Sequence, residues 1–223
     1  MLTGKHETAQ AMKRGYFITF EGPEGAGKSS QIQLLGEALR ASGREVVITR
    51  EPGGTPLAEA IREVVKGYNT GESVYPATEL LLIEAARSQH VREVIEPALA
   101  AGKIVLCDRF SDSSTAYQGG GRGLALETIA MLNDFASDGV VPDLTILLDL
   151  PPERGFERTG ARVETQGEFD RFEEEKLDFH RRVRAAFLAL AEREPQRVKV
   201  VSADRGKAEI GRDVLRLVDE LIR

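Results

Sequence analysis

The sequence has a single cysteine, Cys107, among its 223 residues. One cysteine excludes a disulfide bond within the chain and a metal site built from several cysteines. Disulfide-free proteins are typical of a reducing compartment, so we expect a cytoplasmic location.

Long apolar runs are also missing. No run approaches the roughly 18 consecutive apolar residues that a membrane-spanning helix needs, so we expect no membrane association. The stretch 1–15 is polar and lacks the apolar centre of a secretory signal, and we interpret it as a disordered leader. We expect residues 16–223 to form one domain.

An excess of positive charge is absent as well. With 30 basic and 36 acidic residues the net charge is −6, which argues against a protein that coats a nucleic acid polymer. Lysine is scarce, at 8 residues against 22 arginines. Because the planar guanidinium group suits phosphate, we expect part of this arginine excess to face small anionic ligands.

Short β-branched runs alternate with helical patterns after the leader. The runs predict strands at 16–20, 45–49, 104–107, 144–148 and 198–201. Helical patterns occupy 31–41, 77–100 (bent near Pro97), 124–136, 152–158, 172–193 and 207–223, and a further helix opens at Thr55. Nearly continuous apolar strands indicate a parallel sheet with helices on both faces, which is an α/β fold.

The segment 159–171 breaks this alternation. It is charged, contains two glycines and offers little to a core. A mobile flap over a site and a solvated loop are both consistent with this composition.

The strongest motif is the sequence GPEGAGKS at 22–29, between the first predicted strand and the first predicted helix. It fits a phosphate-binding loop, in which backbone N–H groups and the positive end of the following helix surround phosphate oxygens. We expect all eight of its residues to contact the nucleotide: Gly22, Pro23, Glu24, Gly25, Ala26, Gly27, Lys28 and Ser29.

Two residues of this loop carry specific chemistry. Lys28 is placed to reach the β- and γ-phosphates, and the Ser29 hydroxyl to bind Mg²⁺. The motif predicts binding of ATP or GTP.

Two motifs that would identify other nucleotide-binding proteins are missing. The asparagines, Asn69 and Asn133, are not part of an Asn-Lys-x-Asp motif, which excludes a guanine-reading GTPase of the usual kind. The Leu-Ser-Gly-Gly-Gln signature of transporter ATPases is also absent. A small kinase remains, and such an enzyme needs a second pocket with arginines for the acceptor.

Candidate acceptor residues follow the second and third predicted strands, where open parallel sheets bind ligands. Arg50 lies in TREPGGT after the second strand and suits a phosphate. Asp108 and Arg109 end the third strand, as a candidate Mg²⁺ ligand and a candidate phosphate ligand. Asp149 competes for the metal role, and we favour Asp108 because an arginine accompanies it. Arg87, taken alone, is more typical of a surface charge.

The stretch 113–123 is rich in hydroxyl, amide and glycine residues. Its neutral hydrogen-bonding groups suit a base or a sugar, and the simpler interpretation is a glycine-rich loop.

Together the segments FEGPEGAGKSS, TREPGGT, DRFSDSSTAYQGGGRG and VPDLTILLDL resemble the thymidylate kinase family, in the order of that family. The resemblance extends from Tyr16 to the C-terminal helix. It implies a nucleoside-monophosphate-kinase fold with a five-stranded parallel sheet and a short lid. It also implies a homodimer that uses Mg²⁺ and transfers the γ-phosphoryl group of ATP to dTMP.

The resemblance further implies a set of dTMP ligands. Arg50, Arg87 and Arg109 would lie near the dTMP phosphate, and Arg87 would also face the thymine edge. Ser114 and Gln118 would lie near the base and the sugar.

Three other positions of the resemblance concern the sugar and the ring. Tyr117 would pack at the 2′ position and disfavour ribonucleotides, and Glu24 would meet the 3′-hydroxyl. The family usually has a phenylalanine four residues before Arg87, where this sequence has Ile83. We therefore expect weaker or more tolerant base recognition at that position.

The phosphate loop contains no arginine, so the sequence resembles the bacterial type, in which a flap arginine closes on the transferring phosphoryl group. The candidates are Arg158 and Arg162, with Arg171 at the end of the flap. Two alternatives remain: a kinase of another nucleoside monophosphate on the same scaffold, and a nucleotide-binding switch without phosphoryl transfer.

Overall fold

The computed structural model describes residues 14–67, 73–158, 172 and 175–223. Most of the expected leader and the whole expected lid, 159–171, lie outside the described residues.

The sheet has five parallel strands, as predicted. They are β1 (Phe17–Glu21), β2 (Val46–Arg50), β3 (Ile104–Asp108), β4 (Leu144–Asp149) and β5 (Val198–Ser202). Their order across the sheet is β2-β3-β1-β4-β5. In this register Asp108 pairs with Phe20 on one side and with Arg50 on the other, so the strands that precede the candidate motifs end side by side.

Helices cover both faces of the sheet. They are α1 (Lys28–Ala41), α2 (Pro56–Gly67), α3 (Pro76–His90), α4 (Glu96–Ala100), α5 (Ser111–Ser114), α6 (Leu126–Ser137), α7 (152–158), α8 (Leu177–Arg193) and α9 (Lys207–Ile222). Alternate residues of β1 point to opposite faces of the sheet and pack against different helices. Ile18 and Phe20 pack in a cluster with residues of α1 and α9, whereas Phe17 packs with residues around α4 on the opposite face.

The predicted helix 77–100 is interrupted before its proline. A wide π-helical turn, Val91–Ile95, separates α3 from α4. Pro97 has no N–H to donate to the carbonyl of Glu93, and its ring crowds that carbonyl, so the regular hydrogen-bond ladder fails in this turn.

The glycine-rich stretch after α5 is helical, which the loop interpretation did not predict. A π-helical segment, Thr115–Gly121, continues α5. Its glycines allow close packing, because a Cβ on Gly120 would lie 2.5 Å from the Ala186 Cβ and one on Gly121 would lie 2.5 Å from the Phe179 ring. Within the described residues, none of the helices is both long and apolar enough to cross a bilayer.

Candidate active site

A cleft of about 600 Å³ opens at the carboxyl ends of β1, β2 and β3. Every described residue that the sequence proposed as a ligand through its side chain lines this cleft: Glu24, Lys28, Ser29, Arg50, Ile83, Arg87, Asp108, Arg109, Ser114, Tyr117, Gln118 and Arg158. The fold therefore brings together motifs that are up to 134 residues apart in the sequence.

The phosphate loop connects β1 to α1 and encloses the Lys28 side chain. The Lys28 ammonium donates to the backbone carbonyls of Gly22 at 3.1 Å and Pro23 at 3.0 Å. Burial, and then the charge of Arg109, lowers the pKa of Lys28. The ammonium is thus held over the loop by neutral carbonyls, which leave its charge available to an anion.

The glycines of the loop line the cleft with their backbone. Both Gly25 and Gly27 lie on the cleft surface. Gly27 also precedes α1 as its N-cap residue, and its carbonyl accepts the first helical hydrogen bond, from the Gln31 N–H at 3.1 Å. The unpaired N–H groups of the first helical turn therefore begin at Gly27, where an anion can use them.

The expectation that all eight loop residues contact the nucleotide remains a prediction, but the Ala26 side chain does not line the cleft. It is 2% exposed, and it packs in the core cluster that also contains Ile18 and Ile32, rather than on the cleft surface. Its N–H lies 3.4 Å from the Pro23 carbonyl oxygen, to which it donates. The methyl group thus anchors the loop to the core, because an apolar side chain gains free energy by leaving the polar cleft. Gly22 and Pro23 are likewise absent from the cleft surface and contribute the carbonyls that hold Lys28.

Ser29 and Asp108 meet at the mouth of the phosphate loop. The Ser29 hydroxyl donates to Asp108 Oδ2 at 2.7 Å. The competing carboxylate, Asp149, instead forms a two-pronged ion pair with Arg184, at 2.7 and 2.9 Å. A hydroxyl and a carboxylate at one point beside a phosphate site are the donors that Mg²⁺ uses in this class of fold, so the residues present fit the ion.

Arg109 lies between the two ends of the cleft in a left-handed backbone conformation, with φ of 71°. Its Nη1 donates to the Gly22 carbonyl at 3.2 Å, and its Nη2 donates to Glu24 and to the Tyr117 hydroxyl. Burial would lower the pKa of Arg109, but Tyr117 and the Glu24 carboxylate outweigh it and raise this pKa. The charged guanidinium of Arg109 is thereby fixed between the phosphate loop and Tyr117.

Arg87 is not the surface charge that its residue type alone predicts, because it is 1% exposed. Its Nε donates to Glu51 Oε2 at 2.8 Å, and its Nη1 contacts both Glu84 oxygens at 2.7 and 2.8 Å and Asn133 Oδ1 at 2.6 Å. Burial alone would lower the pKa of Arg87, but the carboxylates of Glu51 and Glu84 hold it above its ordinary value. Among the described residues, Nη2 is the guanidinium nitrogen for which no hydrogen bond is found.

Two neutral polar side chains and one aliphatic side chain share the cleft with this arginine. The Ser114 hydroxyl accepts from Arg87 at 3.1 Å and donates to Glu84 at 3.0 Å. The Gln118 amide donates to Glu79 at 2.8 Å from the helical segment after α5. Ile83 lies one helical turn before Arg87 and is 9% exposed, so it offers an apolar wall to the cleft.

Two further arginines line the cleft closer to solvent. Arg50 donates to Glu59 of α2 at 2.8 Å. Arg158, at the end of α7, donates to the Ala203 carbonyl at 3.2 Å and to the Gly25 carbonyl at 3.3 Å. Arg162 and Arg171 lie outside the described residues.

The stem helix α7 contacts the phosphate loop backbone to backbone. Gly25 has a φ of +74°, and a Cβ there would lie 2.8 Å from the Gly155 carbonyl oxygen. A Cβ on Gly155 would lie 2.7 Å from the Glu24 carbonyl oxygen. The two glycines therefore face each other, and α7 with Arg158 rests directly on the phosphate loop.

Buried acids are the functional residues that sequence reasoning missed. Glu51 and Glu84 hold Arg87, as described above. Glu21, at the end of β1, accepts from the Phe110 N–H at 2.8 Å and from the Ser113 hydroxyl at 2.6 Å. Burial, and then the charge of Asp112, raises the pKa of Glu21 to about 7. Glu51 follows Arg50 directly, and Glu84 precedes Arg87 by one turn. Their closeness in sequence to proposed ligand arginines is the feature from which these two acids could have been predicted.

Known proteins with similar sequences and structures agree on one family. The profile of the thymidylate kinase family matches residues 20–214. A thymidylate kinase of Pseudomonas fluorescens (strain Pf0-1) is 53% identical over 208 residues, which cover 93% of this chain and 97% of that protein. Another, from Pelobacter propionicus, is 52% identical over 203 residues, which cover 90% and 92%. The crystal structure of thymidylate kinase from Ehrlichia chaffeensis matches with a TM-score of 0.73 and 34% identity, covering 92% of this chain and 99% of that one. The chain belongs to the thymidylate kinase family.

Proposed function

We propose that this protein transfers the γ-phosphoryl group of ATP to dTMP, giving dTDP and ADP, as a step toward dTTP. One observation carries the proposal: a single cleft joins a complete phosphate loop to a buried, neutralised arginine among neutral donors. The first feature suits a nucleoside triphosphate and the second suits an uncharged base, so the cleft is built for two nucleotides. The family membership of the chain agrees with this assignment.

At the donor end, the loop 22–29 holds the phosphates of ATP, and Ala26 takes part through its backbone alone. Lys28 neutralises the β- and γ-phosphates, and its depressed pKa reflects the dry site in which it acts. Ser29 and Asp108 would hold Mg²⁺, which supplies further neutralisation of charge on the phosphates when bound.

At the acceptor end, the arginines have separate tasks. Two carboxylates already neutralise Arg87, so its remaining N–H groups suit a carbonyl oxygen of the base better than a dianionic phosphate. Arg50 and Arg109 are left for the acceptor phosphate. Ser114 and Gln118 then face the base or sugar.

The sugar lies against the segment that joins Glu24 to Tyr117 through Arg109. Glu24 is placed to accept from the 3′-hydroxyl. The Tyr117 ring packs beneath Arg109, whose guanidinium carbon lies 4.9 Å from the ring centroid. This packing leaves the ring as a wall at the 2′ position, which excludes a ribose hydroxyl.

Transfer needs positioning and charge stabilisation rather than a protein base, because the attacking phosphate oxygen is already anionic. Arg109 spans the gap between donor and acceptor. Arg158 or Arg162 closes on the transferring group and stabilises the charge on its equatorial oxygens. Arg158 already donates to the backbone carbonyl of Gly25 in the phosphate loop.

An acceptor panel tests the proposal. Purified protein with ATP and Mg²⁺ is offered dTMP, dUMP, dCMP, dGMP and AMP, and ADP formation is measured. We expect the highest kcat/KM for dTMP. A higher kcat/KM for another monophosphate would transfer the assignment to that kinase, and ATP hydrolysis without transfer to any acceptor would favour a nucleotide-binding switch.

We also propose that the protein is a homodimer through the outer faces of α2, α3 and α6. These helices pack side by side, with α3 in contact with both neighbours. They expose large apolar side chains: Leu57 and Val64 on α2, Leu81 on α3, and Met131 and Phe135 on α6. Phe135 is 81% exposed, which is unfavourable for an aromatic ring unless a partner covers it.

A further inference from the structure

The buried imidazole of His90 is linked to Arg87 through the Glu51 carboxylate. His90, at the end of α3, is 0% exposed. Its Nδ1 lies 3.0 Å from Glu51 Oε1, and its Nε2 lies 2.6 Å from the Thr49 hydroxyl. Because an ionised carboxylate only accepts hydrogen bonds, Nδ1 carries a proton and donates to Glu51.

Glu51 is clamped between this imidazole and Arg87. One carboxylate oxygen accepts from His90 and the other accepts from Arg87 Nε. Thr49, His90, Glu51 and Arg87 therefore form a continuous relay of hydrogen bonds from the last residues of β2 to the base-facing guanidinium. The hydrogen bonds of this relay join acceptor-side residues and leave the phosphate loop untouched.

The acceptor loop is shaped around the same imidazole. Gly54 has a φ of +86°, and a Cβ there would lie 2.4 Å from His90 Cδ2 and 2.5 Å from His90 Nε2. The glycine lets the loop backbone close over the edge of the ring. His90 thus fixes Glu51 by a hydrogen bond and the following loop by contact.

We propose that His90 is a positioning residue for the acceptor nucleotide, acting through Glu51 on Arg87. The proposal rests on the proposed function of the cleft. If the Glu51 carboxylate is released, Arg87 Nε loses its oriented acceptor, and only the Nη1 contacts with Glu84, Ser114 and Asn133 still orient the guanidinium. The binding of the acceptor then weakens, while the phosphate loop keeps its geometry.

The two amide replacements of His90 separate this role from a merely structural one. Asn places its amide near the position of Nδ1 and can still donate to Glu51. Gln places its amide near Nε2 and reaches Thr49 instead. We expect His90→Gln to raise the KM for the acceptor about 10-fold, the worth of one hydrogen bond to a charged group. His90→Asn should raise it less than about 3-fold, and the KM for ATP should stay within about 2-fold in both variants.

Thr49→Val provides a variant that keeps the shape of the strand residue and removes only the far end of the relay. It should give a smaller rise in the acceptor KM than His90→Gln, again without an effect on ATP. The acceptor in all assays is the monophosphate that the wild-type protein prefers in the panel described above. The relay is therefore tested even if that panel overturns dTMP as the substrate.

Binding measurements complete the test. Thermal shift with the acceptor alone should show a loss of ligand stabilisation for His90→Gln and its retention for His90→Asn. The proposal would be overturned if His90→Gln raised the KM for ATP as much as the KM for the acceptor. It would also be overturned if the Asn and Gln variants had the same acceptor KM.

Discussion

At the scale of single residues, burial and pairing decide what each charged group can do. Arg87 is the largest side chain by volume among those described as fully buried, and two carboxylates neutralise it. Lys28 is also buried, but backbone carbonyls rather than carboxylates hold it. The first cation therefore suits a neutral oxygen and the second suits an anion, although residue type alone treats both as positive charges.

Lys28→Ala should abolish measurable turnover, with kcat lower by at least about 100-fold, because a donor aimed at the developing charge is lost. The fold should persist, since the ammonium bonds only to carbonyls of its own loop. Steady-state kinetics and circular dichroism check both parts. Lys103→Ala, which removes a partly exposed lysine paired with Glu45, is the control and should retain wild-type activity. Retained activity in the Lys28 variant would refute the assignment of the phosphate loop.

Ile83→Phe should lower the KM for dTMP about 5-fold. Ile83 lines the cleft one turn from Arg87, and an aromatic ring there adds a stacking contribution of about 1 kcal/mol with thymine. Initial rates over a range of dTMP concentrations at saturating ATP provide the measurement. An unchanged or raised KM would show that the aliphatic wall already serves the base as well as a ring does.

At the scale of elements, the sequence predicted the strands within one residue at each end, because continuous β-branched runs are distinctive. It also predicted that the candidate ligands lie together at the carboxyl ends of the strands, where the cleft opens. It did not predict the helix after α5, because Gly119, Gly120 and Gly121 disfavour a helix locally and only their contacts with α6 and α8 explain them. Of the partners of Arg87, Glu51 and Asn133 lie outside its helix, and only the fold brings them to it. The core packing of Ala26 likewise depends on separate elements that only the fold brings together.

Glu21 links β1 to the turn after β3, and this link should make stability depend on pH. The carboxyl titrates near 4.5 in the unfolded chain and near 7 in the folded one, so between these values the folded state binds more protons. The free energy of unfolding should therefore fall as pH rises through this interval, by up to about 3 kcal/mol from this group.

Urea unfolding of wild type and Glu21→Gln at about pH 5 and about pH 8 measures this dependence. The stability of the variant relative to wild type should increase at the higher pH. Glu192→Gln changes an exposed acid and should show no such trend. A stability difference that is independent of pH would contradict the assignment of the trend to Glu21.

Helix α7 leads into the segment expected to form the lid. The last arginine of this helix, Arg158, is therefore compared with Arg162 of that segment. We expect Arg158→Ala or Arg162→Ala to lower kcat by about 1,000-fold, because one guanidinium stabilises the transferring group. The KM values should change little. Arg154→Ala, on the same helix and paired with Glu157 and with Asp204, is the control. If both variants retain kcat within about 10-fold, the stabilising arginine lies elsewhere.

At the scale of the whole molecule, the cleft and the exposed apolar side chains occupy different surfaces. The cleft opens at the carboxyl ends of the strands, and the apolar side chains of α2, α3 and α6 face outward from the helical layer. Asn133 of α6 reaches Arg87, whereas Met131 and Phe135 of the same helix point to solvent. One helix thus contributes to the proposed acceptor site and to the proposed dimer face.

Phe135→Glu should convert a dimer into a monomer, because a charge would be buried against the partner. Sedimentation equilibrium or light scattering coupled to size exclusion measures the mass. Val200→Glu adds the same charge on the edge strand β5, where Val200 is 49% exposed, and should leave the dimer intact. A monomeric wild type, or a Phe135→Glu variant of unchanged mass, would refute the proposed face.

The facing glycines of the phosphate loop and α7 have a consequence for mutational tolerance. Position 155 lies outside the motif at 22–29, yet its carbonyl and its Cα lie against that motif with no flexible side chain in between. A substitution at Gly155 should therefore be poorly tolerated, although Gly25 carries the additional strain of its left-handed φ. In a saturation screen for activity, most substitutions at either position should be lost. The residues that the nucleotide motif requires would then include one in α7, outside the sequence of the motif.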